Sequence, residues 1–554
     1  LHESRGGSHG DKDMEMSIQL SRSVPPAALT LALLMLGLTA YGGGGDTPAR
    51  APAPAPANFY YQTKTPYAPQ QDAATYEAPP AGYSTVYTEL MARHGSRGLS
   101  SLKEDLAVYN MWLKAASEGA LTDLGLKLGP DVLKLMKANF LLGYGVSGIT
   151  TPGYGNETQV GIDEHTALAK RLLARNKSLF DQVVADAATS PRKIEVVTSG
   201  VDRAVDSGAF FVKSLVASQP KLNDLLVYPA APGPYPVAAP VMQPAGTDRF
   251  LLYFHKLVAA TDLVSNAADP LYQTYQDSQA FQKWLKDADL AAKQAAILAD
   301  PAAKTAGRAV LERLFTKAFV DKIESGAYSF ANTGTFTFTS ADGKFTNTLT
   351  GDGATPITSA AEAASRIYEL YVISPAMKAE AGTDFTPYMP LEHAKYFAFT
   401  QDASDFYKMG PGITEKGSVT WKMAQHLEDD FFNQVDAIAK GQLGRVAKLR
   451  FAHAEIVIPF ASKLGMKNVL AQVPLASLYS YENNPWRGDY VSPMAANIQW
   501  DVVRNASGAL LVKMLFNEKE TDFKADCDGA RYAAGSHYYD YTKLKACYGH
   551  TPAP

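Results

Sequence analysis

The stretch Ser84-Thr-Val-Tyr-Thr-Glu-Leu-Met-Ala-Arg-His-Gly-Ser-Arg-Gly98 decides the fold. Ser84–Met91 is rich in β-branched and aromatic residues and reads as a buried strand. The polar turn RHGSRG ends it. A helix should follow, opened by Ser101-x-x-Glu104 as a capping box and stopping near Gly119. Leu102, Leu106, Tyr109 and Leu113 would line one of its faces. The same grammar recurs twice. Lys193–Thr198 is a strand, followed by SGVDR and a helix carrying Ala209, Phe210, Val212 and Leu215. Lys448–Ala452 runs into His453 and the apolar helix Ile456–Leu464. Val160–Arg175 is a further amphipathic helix. Strands that lead into helices imply a parallel α/β sheet with helices on both faces, a three-layer arrangement.

Away from these junctions the texture changes. Ile498–Val503 and Leu510–Phe516, joined by RNASG, read as an antiparallel edge. Between 216 and 439 the chain is mostly helical, as in Ala280–Leu298 and Ala360–Val372, with one hairpin built from TFTFT, Ala341-Asp342-Gly343 and KFTNTLT. The expected organisation is a leader over 1–42, a Gly/Pro-rich linker over 43–82, and an α/β core over 83–215 and 440–525. A mostly helical cap is inserted over 216–439, and a tail covers 526–554.

The leader places the chain outside the cytoplasm. Met14 or Met16 is the natural start, and the uncharged run Ala27–Ala40 suits a signal h-region while being too short to span a bilayer. LTAYGGGGD resembles a lipobox with its tail, but Tyr41 replaces the acceptor cysteine, which argues against a lipid anchor. The two cysteines, Cys527 and Cys547, are an even count in one short segment, so an exported chain should join them. With no CxxC pair, a zinc ribbon or thioredoxin-type site is excluded.

Three strand-to-helix junctions end in cationic or imidazole groups. The first carries Arg93, His94 and Arg97, the second Arg203, and the third His453 with Glu455 two residues on. In a parallel sheet such junctions gather at the carboxyl edge, beside helix N-termini that favour anions. Three arginines and two histidines there would repel one another without an anion between them. Phosphate matches the arginine forks. An imidazole kept neutral by nearby positive charge is a competent nucleophile toward phosphorus, and Glu455 is the carboxylate placed to protonate a leaving alkoxide.

These residues resemble the histidine phosphatase superfamily, whose RHGxR signature is similar to Arg93–Arg97. His453-Ala454-Glu455 resembles the HAE triplet of the multiple inositol polyphosphate phosphatase branch, and SPMAANIQWDVV and LFNEKE look like its closing strands. The resemblance covers roughly residues 83–520. It implies a phosphoglycerate-mutase-like sheet and a metal-free, cofactor-free phosphomonoesterase acting on phytate and other inositol polyphosphates. Arg93, Arg97 and Arg203 would clamp the phosphate, and His94 would form the phosphohistidine. His453 would bind phosphate and Glu455 would donate the proton. The branch usually reads RHGxRxP. Here Gly98-Leu99 replaces x-Pro, which should loosen the loop.

Composition agrees. The 554 residues are 46% hydrophobic and 19% charged with a net charge of −4, so neither disorder nor a general nucleic-acid binder fits. There is no phosphate-binding GxxxxGK[ST] loop, and the remaining histidines have no partner at metal-ligand spacing. The expected ligand is a phosphorylated small molecule, with no obligate protein partner. A broad acid phosphatase and a phosphate-binding surface module without turnover remain as alternatives.

Overall fold

The computed structural model describes residues 58–149, 151–228, 247–354 and 356–551. The leader and the first part of the linker lie outside them. No helix among the described residues is long and apolar enough to cross a membrane.

The main sheet contains β1 (Tyr83–Arg93), β2 (Lys193–Thr198), β3 (Leu226–Val227), then, beyond the separate hairpin β4 (Thr335–Thr339) and β5 (Thr346–Thr350), β6 (Arg445–Ala452), β7 (Asn497–Asn505), β8 (Leu510–Phe516), β9 (Lys519–Thr521) and β10 (Tyr538–Asp540). Its order is β10-β8-β7-β1-β6-β2-β3, with β9 also on β8. β1, β6, β2 and β3 are mutually parallel, while β7 runs antiparallel to β1 and begins an antiparallel half. The central strands are buried almost throughout, which is why they read as near-continuous apolar runs. The exceptions are paired: Arg450 on β6 bonds Glu89 on β1 at 2.9 Å and Asp430 at 2.6 Å, with Arg450 and Glu89 fully buried.

Helices α1 (Glu104–Ser117), α2 (Gly125–Phe140), α3 (Gln159–Arg175), α4 (Lys177–Ala185) and α5 (Asp202–Ser218) follow the first two strands. Leu168, Leu172, Phe180, Phe211 and Leu215 from α3 to α5 pack on one sheet face. The helices Gln425–Ala439 and Ala454–Lys463 cover the other, through Phe431, Phe432, Val457 and Phe460. The three-layer α/β fold is therefore present.

Several local expectations are corrected. Ser101 does not cap α1: the helix begins at Glu104 behind Lys103, with no side-chain cap. Leu113 is 43% exposed, so the buried face of α1 instead runs through Leu106, Ala107, Val108 and Met111. Ala280–Leu298 is two helices, Tyr272–Trp284 and Ala288–Leu298, because the Asp287 carboxylate caps the second by accepting from Asp289 N at 2.8 Å. α1 and α2 do not pack on the sheet. They share a core with Pro301–Leu311 and Ala360–Ile373, so helices on both sides of residue 216 build one helical lobe. Past residue 525 the chain still belongs to the sheet, since Tyr539 of β10 pairs with Val512 of β8. Cys527 and Cys547 are disulfide-bonded, 5.6 Å apart at Cα, and tie the helix Tyr541–Tyr548 to that edge.

Candidate active site

The register of the parallel strands builds the site. Arg93 lies opposite Ala452, and Thr198 opposite Phe451. The next residues on the three strands, His94, His453 and Ser199, therefore emerge side by side. Two further ladder bonds fix them, His94 N to Ala452 O at 2.8 Å and Ser199 N to Phe451 O at 3.0 Å. The imidazoles of His94 and His453 meet edge to face with ring centroids 5.5 Å apart.

His94 Nδ1 lies 2.9 Å from Gly95 O. A carbonyl only accepts, so Nδ1 carries the proton and Nε2 presents its lone pair. Burial, reinforced by Arg203, Arg93, His453 and Arg97, holds the His94 pKa well below the usual histidine value, so the ring is neutral. Ser199 Oγ is 2.8 Å from His453 Nε2 and fixes that ring, while His453 Nδ1 is buried without a partner.

The arginines surround this pair. Arg93 is anchored from behind, its Nη1 donating to Thr63 O and Ser492 O at 2.6 Å each. Arg97 Nη1 donates to Gly98 O at 2.7 Å. The Nε atoms of Arg93, Arg97 and Arg203 are buried with no hydrogen bond. Burial and then repulsion from Arg203 and Arg93 bring Arg97 down to about 9. Burial, opposed by Glu455 and reinforced by Arg203, brings Arg93 down to about 10. Both remain cations at neutral pH, crowded as a polyanion site requires. Burial would raise the Glu455 pKa, but His255, His453 and Arg203 hold it below the usual carboxylate range, so the carboxyl is ionised.

The loop is rigid. Glu157 Oε1 accepts from Gly95 N at 3.0 Å and from the Ser207 hydroxyl, and that hydroxyl also reaches Arg203 O at 2.7 Å. Glu164 accepts from Ser96 N at 2.7 Å, and His165 Nε2 donates to Arg93 O at 3.1 Å. Gly98-Leu99 does not loosen it. Leu99 N donates to Asn139 Oδ1 at 2.8 Å, a bond that proline in that place could not make.

Tyr253 and His255 were not anticipated. They follow Thr247, which pairs with Thr198 at the end of β2, and Asp248 N donates to Thr198 O at 3.0 Å. This brings the Tyr253 and His255 rings to 5.8 Å and 6.4 Å from His453. Burial lowers His255 to about 4, leaving it neutral. A cavity of about 910 Å³ opens beside Ser199, Arg203 and Tyr253 and is walled on the far side by Asn347 and Leu349 of the hairpin. That is room for a ligand of several charged groups.

No family model matches the chain, and no curated protein does. Solved structures do. The chain is 33% identical to the apo form of the Bifidobacterium longum multiple inositol polyphosphate phosphatase, with a TM-score of 0.76 over 89% of this chain and 97% of that one. It is 32% identical to the same enzyme in complex with inositol hexasulfate, at a TM-score of 0.75 over the same shares. The phytase from D. castellii shares the fold alone, with 11% identity and a TM-score of 0.50 over 89% of this chain and 88% of that one. With this identity and fold likeness running over nearly the whole of that enzyme, the chain belongs to the multiple inositol polyphosphate phosphatases of the histidine phosphatase superfamily.

Proposed function

We propose that the protein is an exported phosphoric monoester hydrolase that releases phosphate from phytate and other inositol polyphosphates. The observation that carries the reading is the His94–His453 pair, 5.5 Å apart among three arginines, with the His94 lone pair on Nε2. The inositol hexasulfate bound by the relative is a hexa-anion of the same shape class as phytate. The disulfide between Cys527 and Cys547 fits an oxidising compartment.

The proposed reaction has two steps. His94 Nε2 attacks phosphorus, forming a P–N bond as the ester P–O bond breaks. Glu455, protonated in the complex, passes its proton to the departing inositol oxygen. Water then attacks the phosphohistidine as the P–N bond breaks, the product phosphate keeps both water protons, and it leaves with His94 neutral again while Glu455 regains its proton from solvent. Arg93, Arg97, Arg203 and His453 hold the transferring oxygens as their charge redistributes. In the free protein Glu455 balances the cations. A bound phosphate dianion takes over that task and lifts the carboxyl toward protonation.

The test is phosphate release from phytate, with and without chelator, by wild type and His94→Ala. Wild type should work undiminished in chelator and form an acid-labile phosphohistidine on rapid quench, and His94→Ala should do neither while keeping its fold. Label on serine, or dependence on added metal, would overturn the reading.

A further inference from the structure

Residues just ahead of β1 read as linker in the sequence, yet they are built into the site. Tyr60 and Gln62 adopt φ of 59° and 53°, a left-handed backbone that non-glycine residues take up only under constraint. The constraints are visible. Tyr368 Oη donates to Tyr60 O at 2.6 Å, and Gln62 Nε2 donates to Asp405 Oδ2 at 2.8 Å. The Arg93 guanidinium holds Thr63 O, and Met494 N holds Thr65 O at 2.9 Å. A spacer would need none of this. The residue flanked by those two last anchors is Lys64.

Lys64 is half-buried, and its ammonium forms neither a hydrogen bond nor an ion pair with any described residue. The groups that bear on it electrostatically are Glu369, Arg97, Arg93 and Asp405. The two carboxylates are engaged elsewhere: Glu369 accepts from the Gln401 amide and Asp405 from the Gln62 amide. Burial, opposed by Glu369 and reinforced by Arg97 and Arg93, keeps the Lys64 pKa below the usual lysine value. A fourth cation, held next to a clamp of three arginines by a strained and heavily anchored turn, is a standing electrostatic cost. One phosphate dianion does not require it, because the three arginines already supply more positive charge than it carries. A ligand with a second anionic group close to the first does.

We propose that Lys64 binds a second phosphate of the substrate, on a carbon neighbouring the ester that His94 attacks, so that the enzyme favours compounds with adjacent phosphates over isolated monoesters. This rests on the phosphatase reading of the site and names the substrate feature it selects. The geometry restricts the second group to one near the first, since the backbone preceding Lys64 is itself hydrogen-bonded to Arg93.

The experiment is calorimetric titration of wild type, Lys64→Met and Lys64→Arg with inositol hexasulfate and, separately, with inorganic phosphate. Lys64→Met should weaken hexasulfate binding about tenfold or more, and at least about fivefold more than it weakens phosphate binding. Lys64→Arg should restore most of the hexasulfate affinity. On phytate the Lys64→Met loss should fall on KM rather than kcat. Equal weakening of both ligands would make Lys64 part of the single-phosphate clamp, and unchanged hexasulfate binding would make it a bystander. Either result overturns the proposal, and so does a failure of arginine to rescue. Because the titration needs no turnover, wild type that shows this binding pattern without hydrolysing phytate would refute the proposed activity and leave the Lys64 assignment standing.

Discussion

Gly161 of α3 lies against Gly95 and Ser96 so closely that neither glycine has room for a β-carbon. One on Gly95 would sit 2.7 Å from Gly161 Cα, and one on Gly161 would sit 2.2 Å from Ser96 O. Both obstacles are backbone, which cannot swing aside. Gly161→Ala should therefore cost about 1–3 kcal/mol of stability and displace the loop that carries His94. Thermal melts and phytate turnover should fall together. A variant with unchanged melting and unchanged rate would mean the two backbones can separate freely.

Arg203 acts from the first turn of α5, tied by its own carbonyl to the Ser207–Glu157–Gly95 chain of bonds. Its guanidinium should meet the phosphate as a fork, which an ammonium cannot reproduce. Arg203→Lys should lower kcat/KM on every phosphomonoester by about tenfold or more, the size expected for a charge-assisted bond. Near-normal activity on all of them would place Arg203 outside the clamp.

Glu455 should matter only when the leaving group needs a proton. Glu455→Gln is expected to slow phytate hydrolysis by ~10²–10⁴-fold while sparing 4-nitrophenyl phosphate, whose phenolate departs unaided. The wild-type rate on phytate should fall as pH rises, since only the protonated carboxyl donates. That limb should be lost in the variant. Equal losses on both substrates would assign Glu455 to binding.

His165 supports the loop as a neutral ring, with Nε2–H on Arg93 O and burial holding its pKa at about 4. The unfolded chain gains a proton at this residue below about pH 6.5, while the folded chain resists until about pH 4, so acidification through that window favours unfolding. His165→Gln keeps a donor and has no proton to gain. The stability advantage of wild type over the variant should thus shrink by about 2 kcal/mol between pH 7.5 and pH 5 in urea melts. A widening gap would show that His165 is charged in the fold.

The parts that could be read from the chain are those where local pattern and tertiary position coincide. An apolar strand that stops at Arg-His-Gly or His-Ala-Glu marks both the end of the strand and the edge of the sheet, so His94, Arg97 and His453 were legible. Lys64 was not, because its neighbour Pro66 and the preceding Ala-Pro run look like linker, and the groups that fix the turn, Arg93, Tyr368, Asp405 and Met494, are distant in sequence. His255 sits on a three-residue turn, Phe254–Lys256, with no periodicity to betray its burial. The partnership of α1 with Ala360–Ile373 is likewise a long-range packing choice. The break at Asp287 could have been read, since an aspartate before Ala-Asp-Leu is an ordinary helix start.

β6 lies between β1 and β2, although it is made more than two hundred residues after both. As the chain emerges, the facing edges of β1 and β2 have no native neighbour until Arg445–Ala452 arrives. Pairing across such sequence distance is slow, and the waiting edges are open to wrong partners. A chain interrupted before Arg445 therefore lacks more than Glu455 and His453: it lacks the strand that brings the first two together. This insertion order makes the final fifth of the chain the timer for its folding, and the interval before that fifth arrives is the period when holding factors and low temperature should most improve yield.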